Sequence, residues 1–321
     1  MDVEYVSCKI SAITWLQSDF LKNDVDSDDV FWMFGTYSSS KNFISIYGKK
    51  IRSDDKSNKG IGQIDNLKFH VPADVVSIAN YDKRSSFVSL SNEKIFRIDY
   101  TRKTGFKVIH EWNVDDGHHS TALLVNTSTE LISSGLDGRL LIFDINSKKI
   151  NKTPSITSNS VHCLDTISEN EIVCGTTSGH VKLFDKRSQK VEMSIVNETS
   201  IITSIKRNSH LPHIIACGND LGFLYLWDLR NSLHRPMQPV SGHTASISGL
   251  KYMENEPNFI ITSSLDGQLI KWNITNEFEI ISVDSLIDKR NKFPINCFDI
   301  NQYSNQILFA DDNEVLYCTT I

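Results

Sequence analysis

Residues Ser263 to Ile274 read SSLDGQLIKWNI, and the Asp266-Gly267 pair between two apolar runs decides the fold. Asp-Gly supports the φ > 0 geometry of a tight hairpin turn. After it, Leu269, Lys271 and Asn273 alternate with Gln268, Ile270 and Trp272, which is the period of a strand. One hairpin alone means little, but the chain repeats this plan six more times. The other copies are GTYSSSKNFISIY from Gly35, SLSNEKIFRIDY from Ser89, SGLDGRLLIFDI from Ser134, GTTSGHVKLFDKR from Gly175, GNDLGFLYLWDLR from Gly218 and ADDNEVLYCTTI from Ala310. Their strands end at Tyr47, Ile98, Phe143, Phe184, Trp227, Trp272 and Cys318, spaced about 41 to 51 residues apart. That period is close to the ~40–45 residues of a four-stranded propeller blade.

The pattern resembles the WD-repeat family, whose signature is an upstream Gly-His and a closing Trp-Asp. The resemblance implies an all-β fold, a single seven-bladed β-propeller closed by the N-terminal strand in the last blade. Blades are expected over about 11–50, 64–100, 117–150, 155–187, 195–230, 240–275 and 290–321, with 4–10 joining the seventh. By this closure Glu4 to Ile10 pairs beside Glu314 to Cys318, which leaves no unpaired seam. The copy ending at Trp272 is the fullest, with Gly242-His243 upstream. There the family's buried hydrogen-bonded chain maps onto His243, Thr262 or Ser264, Asp266 and Trp272. Such groups must satisfy one another, since each left alone costs ~1–3 kcal/mol. That structural reading of His243 and Asp266 outweighs a catalytic one.

Net charge is −6 over 321 residues, so no global basic field draws nucleic acid or anionic lipid. No apolar stretch suits a membrane span, and MDVEYVSCKI lacks a signal-peptide core. The six cysteines form no C-x-x-C pair, which argues for reduced, buried thiols in an intracellular protein. On that reading the Asn273-Ile274-Thr275 sequon is a chance match. His118-His119 lacks a third ligand at metal spacing, so Gly117-His118 is read as the family's Gly-His. The Asp-rich insert over 18–29 lacks the calcium-loop pattern, and 49–62 reads as a mixed-charge linker between blades one and two. No nucleophile elbow, phosphate loop or metalloprotease motif occurs. The expectation is no enzyme, no cofactor and no metal.

Beyond the fold, YVSCKISAITW from Tyr5, FGTYSSSKNFISIY from Phe34 and FADDNEVLY from Phe309 resemble the WD-repeat nucleoporins. That resemblance implies a subunit of the Y-shaped scaffold of the nuclear pore, monomeric within a hetero-oligomeric complex. It would dock onto a helical-solenoid nucleoporin and support pore assembly and nucleocytoplasmic transport of protein and mRNA. Its place would be the nuclear envelope and, in mitosis, the kinetochore. A rival reading starts from Asp185-Lys186-Arg187 and Asp228-Leu229-Arg230, which close adjacent blades. They resemble the double box of WD-repeat substrate receptors of cullin-type ubiquitin ligases, in which two guanidinium forks reach an adaptor's carboxylates. Local pairing of each Arg with a blade carboxylate is the plainer alternative. An aromatic cage for modified peptides would draw on Trp15, Trp32 and Trp112, which read instead as strand-packing residues.

Overall fold

The structure is a computed structural model and describes residues 1–16, 30–49, 62–101, 103–114, 117–196, 200–230, 239–274, 280–287 and 293–321. The insert over 18–29 lies outside the described residues, as does Thr275 of the sequon. The fold is an all-β seven-bladed β-propeller of seven four-stranded sheets. Strand β1 (Asp2–Tyr5) belongs to the last of them. Sheet one holds β2 (Lys9–Leu16), β3 (Val30–Tyr37), β4 (Phe43–Lys49) and β5 (Gly62–His70). Sheet two holds β6 (Val75–Asn80), β7 (Ser85–Leu90), β8 (Lys94–Thr101) and β9 (Gly105–Asn113). Sheets three and four are β10 (Ser120–Thr127) to β13 (Ile150–Lys152) and β14 (Val161–Thr166) to β17 (Lys190–Val196). Sheet five holds β18 (Ile202–Arg207), β19 (Ile214–Asn219), β20 (Phe223–Asp228) and the two-residue β21 (Val240–Ser241). Sheet six holds β22 (Ile247–Tyr252), β23 (Phe259–Ser264), β24 (Leu269–Ile274) and β25 (Ile280–Ser285). Sheet seven holds β26 (Ile295–Asn301), β27 (Gln306–Asp311), β28 (Val315–Thr320) and, outermost, β1.

The chain falls into two compact units, Met1–Gly117 with Asn296–Ile321, and His118–Ile295. Within each, apolar cores form between successive sheets. Met33 and Ile44 of sheet one meet Val88 and Ile98 of sheet two in the first unit. Val173 of sheet four meets Ile215 and Trp227 of sheet five in the second. The small residues that mark the repeat are explained by this stacking. A Cβ on Gly35 would lie 2.4 Å from Val75, and one on Gly218 would lie 2.6 Å from Ile247. The second strand therefore tolerates little side chain where the next sheet's first strand crosses it.

First strands share two further devices. Register shifts at Ile10/Ala12, Thr121's neighbours Ser120/Ala122, and Ile202/Ser204 mark β-bulges, which sharpen strand twist. An Asp or Asn near the strand end then ties one sheet to another. Asn80 Nδ2 donates to Trp15 O (2.8 Å) and Asp165 accepts from Arg207 N–H (2.8 Å). Trp15 N–H donates to Asp299 (2.9 Å) across 284 residues of sequence.

Sheets two to six begin and end later than expected from the sequence, and sheet one ends later. Sheet six runs from Ile247 to Ser285 rather than over 240–275, because its fourth strand follows Trp272. Likewise Gly62–His70 closes sheet one, so the stretch 49–62 joins β4 to β5 rather than two blades. The seam strand is Asp2–Tyr5, paired Asp2↔Cys318 to Tyr5↔Val315, not Glu4 to Ile10. Ser7, with φ 60, separates it from β2, which starts at Lys9. At the Asp266-Gly267 turn only Gly267 has positive φ (79°). Gly267 N–H donates to Ser264 O (3.1 Å) and Ser264 N–H to Gln268 O (3.2 Å). The connection is a three-residue loop with a left-handed Gly.

Candidate functional site

Sheet six gathers four of the expected residues into one buried chain. Trp272 Nε1, a donor only, reaches Thr262 Oγ1 at 2.8 Å. His243 Nε2 lies 2.7 Å from the same hydroxyl, and His243 Nδ1 lies 3.0 Å from Asp266 Oδ2. Donor counting sets the direction. Thr262 accepts from the indole and gives its own proton to His243 Nε2, so Nδ1 carries the imidazole proton and donates to Asp266. Asp266 also accepts from Thr244 N–H (2.9 Å) and Gln268 N–H (2.9 Å). Burial pushes the Asp266 carboxyl up, yet donation from His243 and these amides outweighs it and holds the pKa below the ordinary range. Ser264 stands outside the chain: its Oγ donates to Ala245 O (3.0 Å) and accepts from Asp266 N–H (3.1 Å). The His243 side chain is fully buried. Its two ring nitrogens are thus both engaged inside the sheet, and the hydroxyl on Nε2, that of Thr262, is itself fully buried.

Sheet three carries a shorter version. His118 Nδ1 lies 3.0 Å from Asp137 and Nε2 3.1 Å from Ser133 Oγ, while Phe143 replaces the indole. Burial pushes the His118 imidazole below its ordinary pKa, against the pull of Asp137. His119 is exposed, so of the adjacent pair only His118 enters the fold's polar chain. Among the described residues no cluster of His, Cys, Asp or Glu is placed to hold a metal ion.

Arg187 and Arg230 each follow the third strand of a sheet in the second unit and fold back on their own aspartate. Arg187 Nη2 lies 3.1 Å from Asp185, and Arg230 Nη2 lies 2.7 Å from Asp228. Each Arg N–H also donates to the same carboxylate, at 2.8 and 2.9 Å. The two guanidinium groups remain 69% and 65% exposed, but an incoming carboxylate would have to compete with these local forks. The donation from Arg holds both aspartates below their ordinary pKa. Trp15 and Trp32 meet edge to face at 5.3 Å, and Trp112 packs on His110 at 4.4 Å. All three are buried and offer no open cage.

Residues missed from the sequence lie in sheet five. Cys217 stands where sheet six has Thr262, since Gly218↔Leu224 matches Ser263↔Leu269 in register. Trp227 Nε1 accordingly has no hydrogen-bond partner among the described residues. Aligning HIIACGNDLGFLYLWD with FIITSSLDGQLIKWN would have shown it.

Seven four-stranded sheets make a β-propeller, and one stretch of it, residues 234–273, matches the WD domain, G-beta repeat. The particular likenesses follow from there. Nucleoporin Nup43 of Homo sapiens is 21% identical over 294 residues, 85% of this chain and 76% of that protein. Nup43 of Mus musculus is 25% identical over 159 residues, 48% of this chain and 42% of that protein. Protein transport protein sec31 of Aspergillus oryzae is 24% identical over 154 residues, 46% of this chain but 12% of its own length.

Proposed function

We propose that the chain is a non-enzymatic structural adaptor of the nuclear pore complex, a propeller that docks onto a helical-solenoid nucleoporin of the Y-shaped scaffold. The observation that carries this reading is the likeness to human Nup43, which extends over 85% of the chain rather than over one generic repeat. A rigid set of sheets joined by loops suits the holding of proteins, and function lies in which surface is used. The polar chains of sheets three and six support the same reading, because their hydrogen-bonding groups are spent inside the fold. In this role the protein sits at the nuclear envelope, turns over no substrate, and contributes to pore assembly and nucleocytoplasmic transport.

The test is affinity purification of the tagged protein from its own cells with quantitative mass spectrometry. Stoichiometric recovery of scaffold nucleoporins is the expected result. A profile led by cullin and a ligase adaptor, without scaffold subunits, would overturn the reading in favour of the Asp-x-Arg boxes.

A further inference from the structure

The seam strand β1 completes sheet seven, and its outward side carries an unusual combination of features. It is the sheet's outermost strand, with β28 on one side and no described strand on the other. Val6 N–H donates to Glu314 O at 3.0 Å, so residues 6, 4 and 2 are those hydrogen-bonded to β28. Antiparallel pairing alternates, which turns the N–H and C=O groups of Val3 and Tyr5 toward the open edge. The same two residues are exposed, at 45% and 72%, and Met1 beside them at 61%. Period two puts all three apolar side chains on one face. Asp2 and Glu4 occupy the other face, where Glu4 lies near enough to Tyr47 to help push the phenol pKa up, after burial. An edge strand with an apolar stripe is a ready template for another strand.

We propose that β1 is a docking edge at which a partner protein adds a fifth antiparallel strand, in an extended segment that alternates apolar and basic residues. Resting on the adaptor reading, this names a surface through which it would act. Main-chain groups of Val3 and Tyr5 supply the hydrogen bonds, and alternate side chains supply specificity. The apolar residues of the added strand lie on the Val3–Tyr5 face and its basic residues on the Asp2–Glu4 face, where opposite charges across strands stabilise. The chain's net charge of −6 favours the same partner. A second copy fits poorly: self-pairing about Val3 sets Asp2 directly against Glu4, and like charges so opposed destabilise.

The probe is a synthetic peptide of alternating valine and lysine, with a valine–glutamate peptide as control, added to the full chain. Hydrogen exchange at the Val3 and Tyr5 amides is expected to slow with the first peptide and not with the second. Val3→Pro removes only an outward N–H, which an edge strand tolerates, and is expected to abolish binding. Asp2→Lys with Glu4→Lys is expected to weaken binding about tenfold or more, since attraction across the strands becomes repulsion. If Val3→Pro disturbs the fold, Val3→Thr with Tyr5→Thr keeps strand propensity, removes the apolar stripe and is expected to weaken binding as well. Unchanged exchange, equal binding of both peptides, or binding indifferent to all these variants would overturn the proposal. So would a dimer in sedimentation that Val3→Pro dissolves. In the purification experiment, wild type and Val3→Pro recovering scaffold subunits equally would remove this edge and leave the adaptor reading. Wild type recovering none would remove the adaptor reading itself, and the peptide result would still judge the edge.

Discussion

Sheets five and six share strand plan and a fully buried third-strand tryptophan, yet they hold the indole differently. In sheet six Trp272 ends a relay through Thr262 and His243 to Asp266. In sheet five Cys217 supplies no acceptor to Trp227, whose ring is held by stacking on Tyr225 at 5.5 Å and by the apolar residues around it. The turn of sheet five is secured separately. Asn219 accepts from Phe223 N–H (2.7 Å) and donates to Ser200 Oγ (2.9 Å), work that falls to Asp266 in sheet six. The comparison separates two jobs that the His-Thr-Trp chain performs together: fixing the hairpin turn and satisfying the indole. A sheet needs the first, and it tolerates loss of the second when apolar packing is dense.

Breaking the relay should therefore cost most. His243→Ala leaves the Asp266 carboxylate and Thr262 buried without their shared partner. It is expected to lower stability by about 3 kcal/mol, read as the shift of the urea midpoint. Thr262→Cys makes sheet six imitate sheet five, and a smaller loss of about 2 kcal/mol is expected for the orphaned indole and imidazole nitrogens. The converse change sharpens the contrast. Cys217→Thr gives Trp227 an acceptor and is expected to gain about 1 kcal/mol, where a loss would mean that the site has no room for the relay. The smallest effect is one of pH, in sheet three. His118 has a native pKa below its ordinary value, so the unfolded chain binds the proton first. Stability is complete above that ordinary value and falls as pH drops through it toward the native pKa. His118→Gln is expected to flatten this limb of the stability profile.

Much of this was legible in sequence because the signals are local. An Asp-Gly turn followed by period-two alternation names a hairpin wherever it stands, and the 40-odd-residue spacing names the architecture. What escaped notice is non-local or too short to carry a period. The outer strands β13 and β21 have three and two residues, too few for alternation, while the longer β9 and β25 lie beyond Ile98 and Trp272, the third-strand residues at which the repeat signature ends. The seam shifted because Ser7 adopts a left-handed conformation that its residue type does not announce. Thr262 and Ser264 share a face, and only the register, with Trp272 opposite Ile260, brings the hydroxyl of Thr262 rather than Ser264 under the indole. That Arg187 and Arg230 grip their own aspartates depends on backbone conformation after each strand, which spacing alone leaves open.

The pairing of Tyr5 with Val315 has a consequence for biosynthesis. The first strand leaves the ribosome some 310 residues ahead of the strand that receives it, which at roughly 5–20 residues per second means a wait of about 15 to 60 s. During that interval sheets one to six can form in turn, each from contiguous chain. Sheet seven cannot, because half of its outer hairpin was made first and the rest last. Its completion is the slow, long-range step that the earlier sheets must await.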